Sequence, residues 1–134
     1  IIFEVTEGER VEDGPWLATI LREYTRCGFL TAIDDFGAGA ASFDYVRGLS
    51  VDTVKIDGKF VQGLEDDSRA RTLIAHLVEM CGSLNLTTIA EFVETRASSD
   101  ILRDLGVNYG QGWLFGKPME KPDYKRIPKI APTA

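Results

Sequence analysis

The sequence predicts an α/β protein in which parallel strands alternate with helices. Three observations carry that expectation. Short runs rich in Val, Ile and Thr alternate with longer stretches whose apolar residues recur at helical spacing. These runs hold or end in polar groups: Glu4, then Asp34 and Asp35, then Lys55, then Glu91, then Gln111. The richest of them, Leu30-Thr-Ala-Ile-Asp-Asp-Phe-Gly-Ala-Gly-Ala-Ala-Ser42, passes directly from a strand-like run into a small-residue loop.

Ile1 to Thr6 is apolar with one glutamate and forms the first expected strand. Pro15 opens a helix whose face is Leu17, Ile20, Leu21 and Tyr24, and Gly28 closes it. The second strand is Phe29 to Asp35. Ser42 is placed to cap a short helix carrying Phe43, Val46 and Leu49. Val51 to Asp57 is the third strand, with Lys55 and Asp57 on the face opposite Val54 and Ile56. Ser68 starts the longest helix, with Leu73, Ile74, Leu77, Val78 and Cys81 as its buried stripe and Gly82 near its end. Leu86 to Val93, a helix over Ser98 to Leu105, and a strand from Val107 to Trp113 complete the alternation. Residues 1–120 are expected to form one partial domain and residues 121–134, broken by prolines, a C-terminal tail.

Helical crossovers between successive strands make the sheet parallel, because each helix returns the chain to the end where the next strand starts. In a closed (β/α)8 barrel the carboxyl ends of all strands meet at one mouth. A doubly wound open sheet also gathers strand ends, at a single crevice. In either arrangement the polar residues converge.

The chain's 134 residues suffice for one core, and 44% apolar with 27% charged residues is the composition of a globular protein. No apolar run approaches the roughly 20 residues of a membrane helix. The opening Ile1-Ile-Phe-Glu4 lacks the marks of a signal peptide and looks cut from something longer. A net charge of −6 opposes a broad nucleic-acid footprint, so no DNA partner is expected. Cys27 and Cys81 lack metal-ligand spacing and are expected as buried free thiols in a reducing, cytoplasmic setting, although the parent protein is free to carry a membrane anchor. His76, the single histidine, falls off the apolar stripe, which leaves a histidine-based triad or zinc site poorly supplied.

Glu4, Asp34, Asp35 and Glu91 against Lys55 leave an acidic excess that one ammonium cannot neutralise. Oxygen donors of this kind suit Mg²⁺ or Mn²⁺. Two such ions can acidify water and neutralise a phosphodiester under in-line attack. The plainer alternative is a ring of ion pairs that only supports the barrel. The segment Gly37-Ala-Gly39 has neither the third glycine of a dinucleotide fingerprint nor the Gly-Lys-Ser/Thr of a P-loop, so it is expected to be an active-site loop.

In the segments Glu4-Val-Thr-Glu7, Asp34-Asp-Phe-Gly-Ala-Gly39, Val54-Lys-Ile-Asp57, Ala90-Glu-Phe-Val-Glu-Thr95, Tyr109-Gly-Gln-Gly112 and Gly116-Lys-Pro118, the chain resembles the C-terminal part of EAL domains, bacterial phosphodiesterases specific for cyclic di-GMP. The resemblance implies the C-terminal part of a TIM-like (β/α)8 barrel, two Mg²⁺ or Mn²⁺ ions, and hydrolysis of cyclic di-GMP to pGpG. It implies metal ligation by Glu4, Asp34, Asp35 and Glu91, with Asp34 shared between the ions. By the same likeness Lys55 contacts the nucleophilic water, Glu91 is a ligand or the general base, Gln111 orders the metal-water cluster, and Glu7 braces the loop after the aspartates. A homodimer through this domain and upstream GGDEF or sensory domains are implied as well. The chain departs from the family at the loop, Gly-Ala-Gly-Ala-Ala-Ser, and at Phe92, where glycine is frequent. The upstream Glu and Asn ligands are absent from these residues, so the fragment alone is expected to be weakly active or inactive. A cyclic-di-GMP receptor or interaction module that binds without hydrolysis is the alternative.

Overall fold

The computed structural model describes residues 1–6, 14–37 and 46–120. Glu7, Gly39, Ser42, Phe43 and the tail 121–134 lie outside the described residues, and with them the loop-bracing expectation and the cap of the short helix. The elements are β1 (Ile2–Thr6), α1 (Gly14–Arg26), β2 (Leu30–Phe36), β3 (Thr53–Ile56), α2 (Gly58–Val61), α3 (Ser68–Ser83), β4 (Thr87–Ala90), α4 (Arg96–Asp104) and β5 (Tyr109–Gly110). All neighbouring strands are parallel and their order is β1-β2-β3-β4-β5. Each strand thus adds beside its predecessor on the same side. A doubly wound sheet would reverse that order at its switch point, so this is an arc of a barrel wall.

One face of the arc carries the core. Ile33, Phe36 and Val54 pack against Cys81 of α3, while Ile56, Ala90 and Val93 pack against Ala70 and Ile74 of α3 and Leu102 of α4. Burying a side chain the size of Phe36 or Ile56 stabilises the fold by about 2 kcal/mol. On β1 the same face presents Phe3, whose ring stacks on Tyr24 of α1 at 4.3 Å between centroids. Strand alternation turns Glu4, Ala32, Thr53 and Lys55 to the opposite face, which in a barrel is the interior.

Helix ends follow the local chemistry. Gly28, at φ +83, carries the chain out of α1 into β2. Asp67 caps α3 by accepting from the Arg69 and Ala70 N–H groups at 2.9 and 3.0 Å. Thr95 caps α4 through the Ser98 N–H.

Four expectations are corrected. Leu73 is 57% exposed, because the buried stripe runs Ala70, Ile74, Leu77, Cys81 and Leu73 stands one residue, about 100°, around the helix from it. Cys27 is exposed, since α1 ends at Arg26 and the cysteine sits in the turn that follows. The last strand stops at Gly110. Beyond it Gly112 lies on the Val93 backbone, where a Cβ would come within 2.2 Å of the carbonyl oxygen, and the chain curls so that Trp113 is exposed. Asp57 leaves the face of Lys55 and caps α2, accepting from the Lys59 N–H at 2.9 Å.

Candidate active site at the carboxyl ends of the strands

Lys55 is the centre of the site. Its side chain is only 7% exposed, and its ammonium pairs with Asp34 Oδ1 at 2.7 Å, Glu91 Oε1 at 2.8 Å and Glu4 Oε1 at 3.1 Å. Burial works against the charged lysine, yet the hydrogen bonds to Asp34, Glu91 and Glu4 outweigh it and hold the group well above its ordinary value. Three strands and the exit of a fourth therefore converge on one cation.

Two adjacent aspartates on a regular strand would face opposite ways. Here Ile33 and Phe36 both enter the core, which requires an irregularity between them, and the β2–β3 register shifts at that point. Asp35 supplies it, in the left-handed region at φ +54, a conformation aspartate tolerates better than most residues. The bulge leaves both carboxylates on the interior side. Oxygens of Asp34, Asp35 and Glu91 come within 4.8 Å of one another.

A matching irregularity delivers Glu91. In a regular strand residues 91 and 93 would share a face, but Val93 is fully buried in the helix-side core while Glu91 reaches Lys55. Phe92, left-handed at φ +53, separates them. The Glu91 N–H donates to Ile56 O on one side of β4 and the Val93 N–H to Gln111 O on the other. Gln111 is held beside Glu91 by its backbone, since its N–H donates to Ala90 O at 2.8 Å, and its side chain is exposed. The structure thus brings together Glu4, Asp34, Asp35, Lys55 and Glu91 and sets Gln111 at their edge.

Among the described side chains that meet here, four carboxylates stand against one ammonium. Lys55 engages one oxygen of each partner, and a carboxylate accepts at two. The donors are all hard oxygens, so the residues present fit divalent Mg²⁺ or Mn²⁺. Phe92, a departure from the family's frequent glycine, is left-handed directly after Glu91. His76, at 75% side-chain exposure, takes no part. Among the described residues no helix is long and apolar enough to cross a membrane.

A family model, the EAL domain, matches residues 1–118. Cyclic di-GMP phosphodiesterase PdeB of Shewanella oneidensis is 37% identical over 92% of the chain, which spans 14% of that protein. A standalone EAL protein from Vibrio cholerae, solved with cyclic di-GMP bound, is 35% identical with a TM-score of 0.82 over 88% of this chain and 50% of its own. BlrP1 of Klebsiella pneumoniae, solved as a manganese and cyclic-di-GMP complex, is 31% identical with a TM-score of 0.80 over 87% of this chain and 30% of its own. The chain therefore covers half or less of each of these proteins.

Proposed function

Because the chain belongs to the EAL-domain family, we propose that it forms the C-terminal part of a phosphodiesterase that hydrolyses cyclic di-GMP to linear pGpG. The observation that supports this most directly is Lys55 held among Glu4, Asp34 and Glu91 with Asp35 alongside. An acidic cluster with one embedded ammonium suits an anionic ester only when cations join it.

Glu4, Asp34, Asp35 and Glu91 would hold two Mg²⁺ or Mn²⁺ ions, with Asp34 shared. Bound there, such ions supply charge neutralisation for the phosphodiester and acidify water. Lys55 donates hydrogen bonds from a fixed ammonium, which favours hydroxide over water and the negative charge that develops on the attacked phosphoryl group. Glu91 takes the proton of the attacking water. The water oxygen bonds to phosphorus as the bond to the 3′ oxygen breaks, and the proton taken by Glu91 returns through solvent to that oxygen, which leaves as the 3′ hydroxyl of pGpG. Gln111 orders the water near Glu91. A dimer and upstream sensory domains in the parent protein belong to the same reading.

Mn²⁺ titration of the 134-residue chain, paired with turnover of cyclic di-GMP by the chain and by the longer parent polypeptide, tests it. Binding of Mn²⁺ by the chain and hydrolysis by the parent are expected, with little or none by the chain. Absence of Mn²⁺ binding, or a parent inert with Mn²⁺ and with Mg²⁺, would overturn it.

A further inference from the structure

We infer that Phe92 is a positioning residue that fixes Glu91 against Lys55 by seating its ring on Gly58. The inference rests on the reading of Glu91 as part of a metal-binding phosphodiesterase site. The contact is specific: a Cβ at Gly58 would stand 2.2 Å from Phe92 Cδ2 and 2.7 Å from Cγ, so the ring lies directly on the Gly58 backbone. Gly58 is the first residue of α2, three positions after Lys55, and Asp57 between them caps that helix. Phe92 is the next residue after Glu91. The ring therefore ties the chain that leaves β4 to the chain that leaves β3, one residue from one partner of the ion pair and three from the other.

Core packing does not account for the place of Phe92. At 54% exposure it contributes little to the core, and its left-handed backbone costs about 1 kcal/mol or more in a residue with a Cβ. Glycine would relieve that cost but would leave the Gly58 surface uncovered. The Glu91 carboxylate must cross to the interior face while Val93, two residues on, turns into the core, and the seated ring holds this change of direction. Without it, among the described residues, the backbone hydrogen bonds of Glu91 and Val93 to opposite neighbours and the ion pair with Lys55 are left to hold the Glu91 side chain's approach.

The test compares the wild-type chain with Phe92→Ala, Phe92→Tyr, Gly58→Ala and the double variant Phe92→Ala/Gly58→Ala. Two quantities are read: proton exchange of the Lys55 ammonium in ¹⁵N-lysine-labelled, metal-free protein, and the Mn²⁺ dissociation constant. Phe92→Ala is expected to speed Lys55 exchange and weaken Mn²⁺ binding about tenfold. Phe92→Tyr, which keeps the ring, is expected to match the wild type. Gly58→Ala displaces the ring and reproduces Phe92→Ala, and the double variant is no worse than either single one. Lys55 exchange and Mn²⁺ affinity within twofold of wild type in Phe92→Ala, or additive losses in the double variant, would overturn the inference. Failure of Phe92→Ala to fold leaves Gly58→Ala and Phe92→Tyr to decide it. A wild-type chain that binds no Mn²⁺ removes the phosphodiesterase reading, and Lys55 exchange still decides the positioning role.

Discussion

Lys55 Nζ lies 2.8 Å from Glu91 Oε1, joining the middle of β3 to the residue that follows β4. The same ammonium also bonds Asp34 and Glu4, so a single side chain ties the carboxyl-terminal halves of four adjacent strand segments. An enclosed ion pair is weak evidence for net stability but strong evidence that losing the lysine is costly, because the largely enclosed Asp34 and Glu91 carboxylates lose their counter-charge. Lysine here both holds the wall together and sets the electrostatics of the site.

Replacing Lys55 by Met is therefore expected to destabilise the chain by about 3 kcal/mol in urea unfolding at pH 7. The pH dependence has a definite sign. The folded-state value is raised, so the lysine's contribution is fully present below its unfolded value of about 10.4 and is lost only as pH climbs through the higher folded value. The gap between wild type and Lys55→Met should stay constant from pH 7 to 9.5. A gap that closes across that range would show that the ammonium is not held by its three partners.

The two roles of Asp35 are separable. Asparagine tolerates left-handed backbone and keeps the shape but not the charge, so Asp35→Asn should unfold within about 0.5 kcal/mol of wild type. Its Mn²⁺ affinity should fall at least tenfold. Asp35→Ala loses the carboxylate and adds strain at φ +54, costing about 1 kcal/mol more. Calorimetric Mn²⁺ titration with urea midpoints for both variants checks this, and equal Mn²⁺ affinity in Asp35→Asn would exclude the carboxylate as a ligand.

Much of this was legible in the residues. Alternating runs and helical stripes located every long element, and the polar strand ends named the four carboxylates and the lysine that meet. The bulges were not legible, because a left-handed Asp35 or Phe92 looks in sequence like an ordinary strand residue, and they decide which side chains face inward. Helix α2 was also missed. Four residues are too few for periodicity, although Asp57 before Gly58 carried the capping signal. The strand expected to reach Trp113 ended early because Gly112 must press against the Val93 backbone, a tertiary contact no local pattern encodes. Leu73 and Cys27 went astray through small angular and boundary shifts at helix surfaces.

The two cysteines should react very differently. Cys81 is fully buried between α3 and the sheet, and burial pushes its thiol up to about 11, so almost no thiolate forms at neutral pH. Cys27 is exposed in the turn after α1. Iodoacetamide at pH 8 should modify Cys27 stoichiometrically in the native protein and Cys81 only after denaturant is added, as read by peptide mass spectrometry. Native labelling of Cys81 at a comparable rate would show that α3 does not close over the sheet.

Glu65 supplies an acid-side signature. Its carboxylate accepts from the Thr95 hydroxyl and, at 3.1 Å, from the Ser98 hydroxyl at the start of α4, and these hydrogen bonds hold it below the usual carboxylate range. A depressed folded value means that its contribution is present above the unfolded value of about 4.3 and disappears as pH falls through the folded one. Glu65→Gln keeps an acceptor for both hydroxyls but removes the charge that strengthens the bonds. Urea midpoints measured from pH 7 down to pH 3 should therefore show wild type above the variant at neutral pH, with the difference shrinking as acid protonates Glu65. A gap that persists unchanged at the lowest pH, or widens there, would mean that the link between Glu65 and the cap of α4 does not depend on the ionised carboxylate.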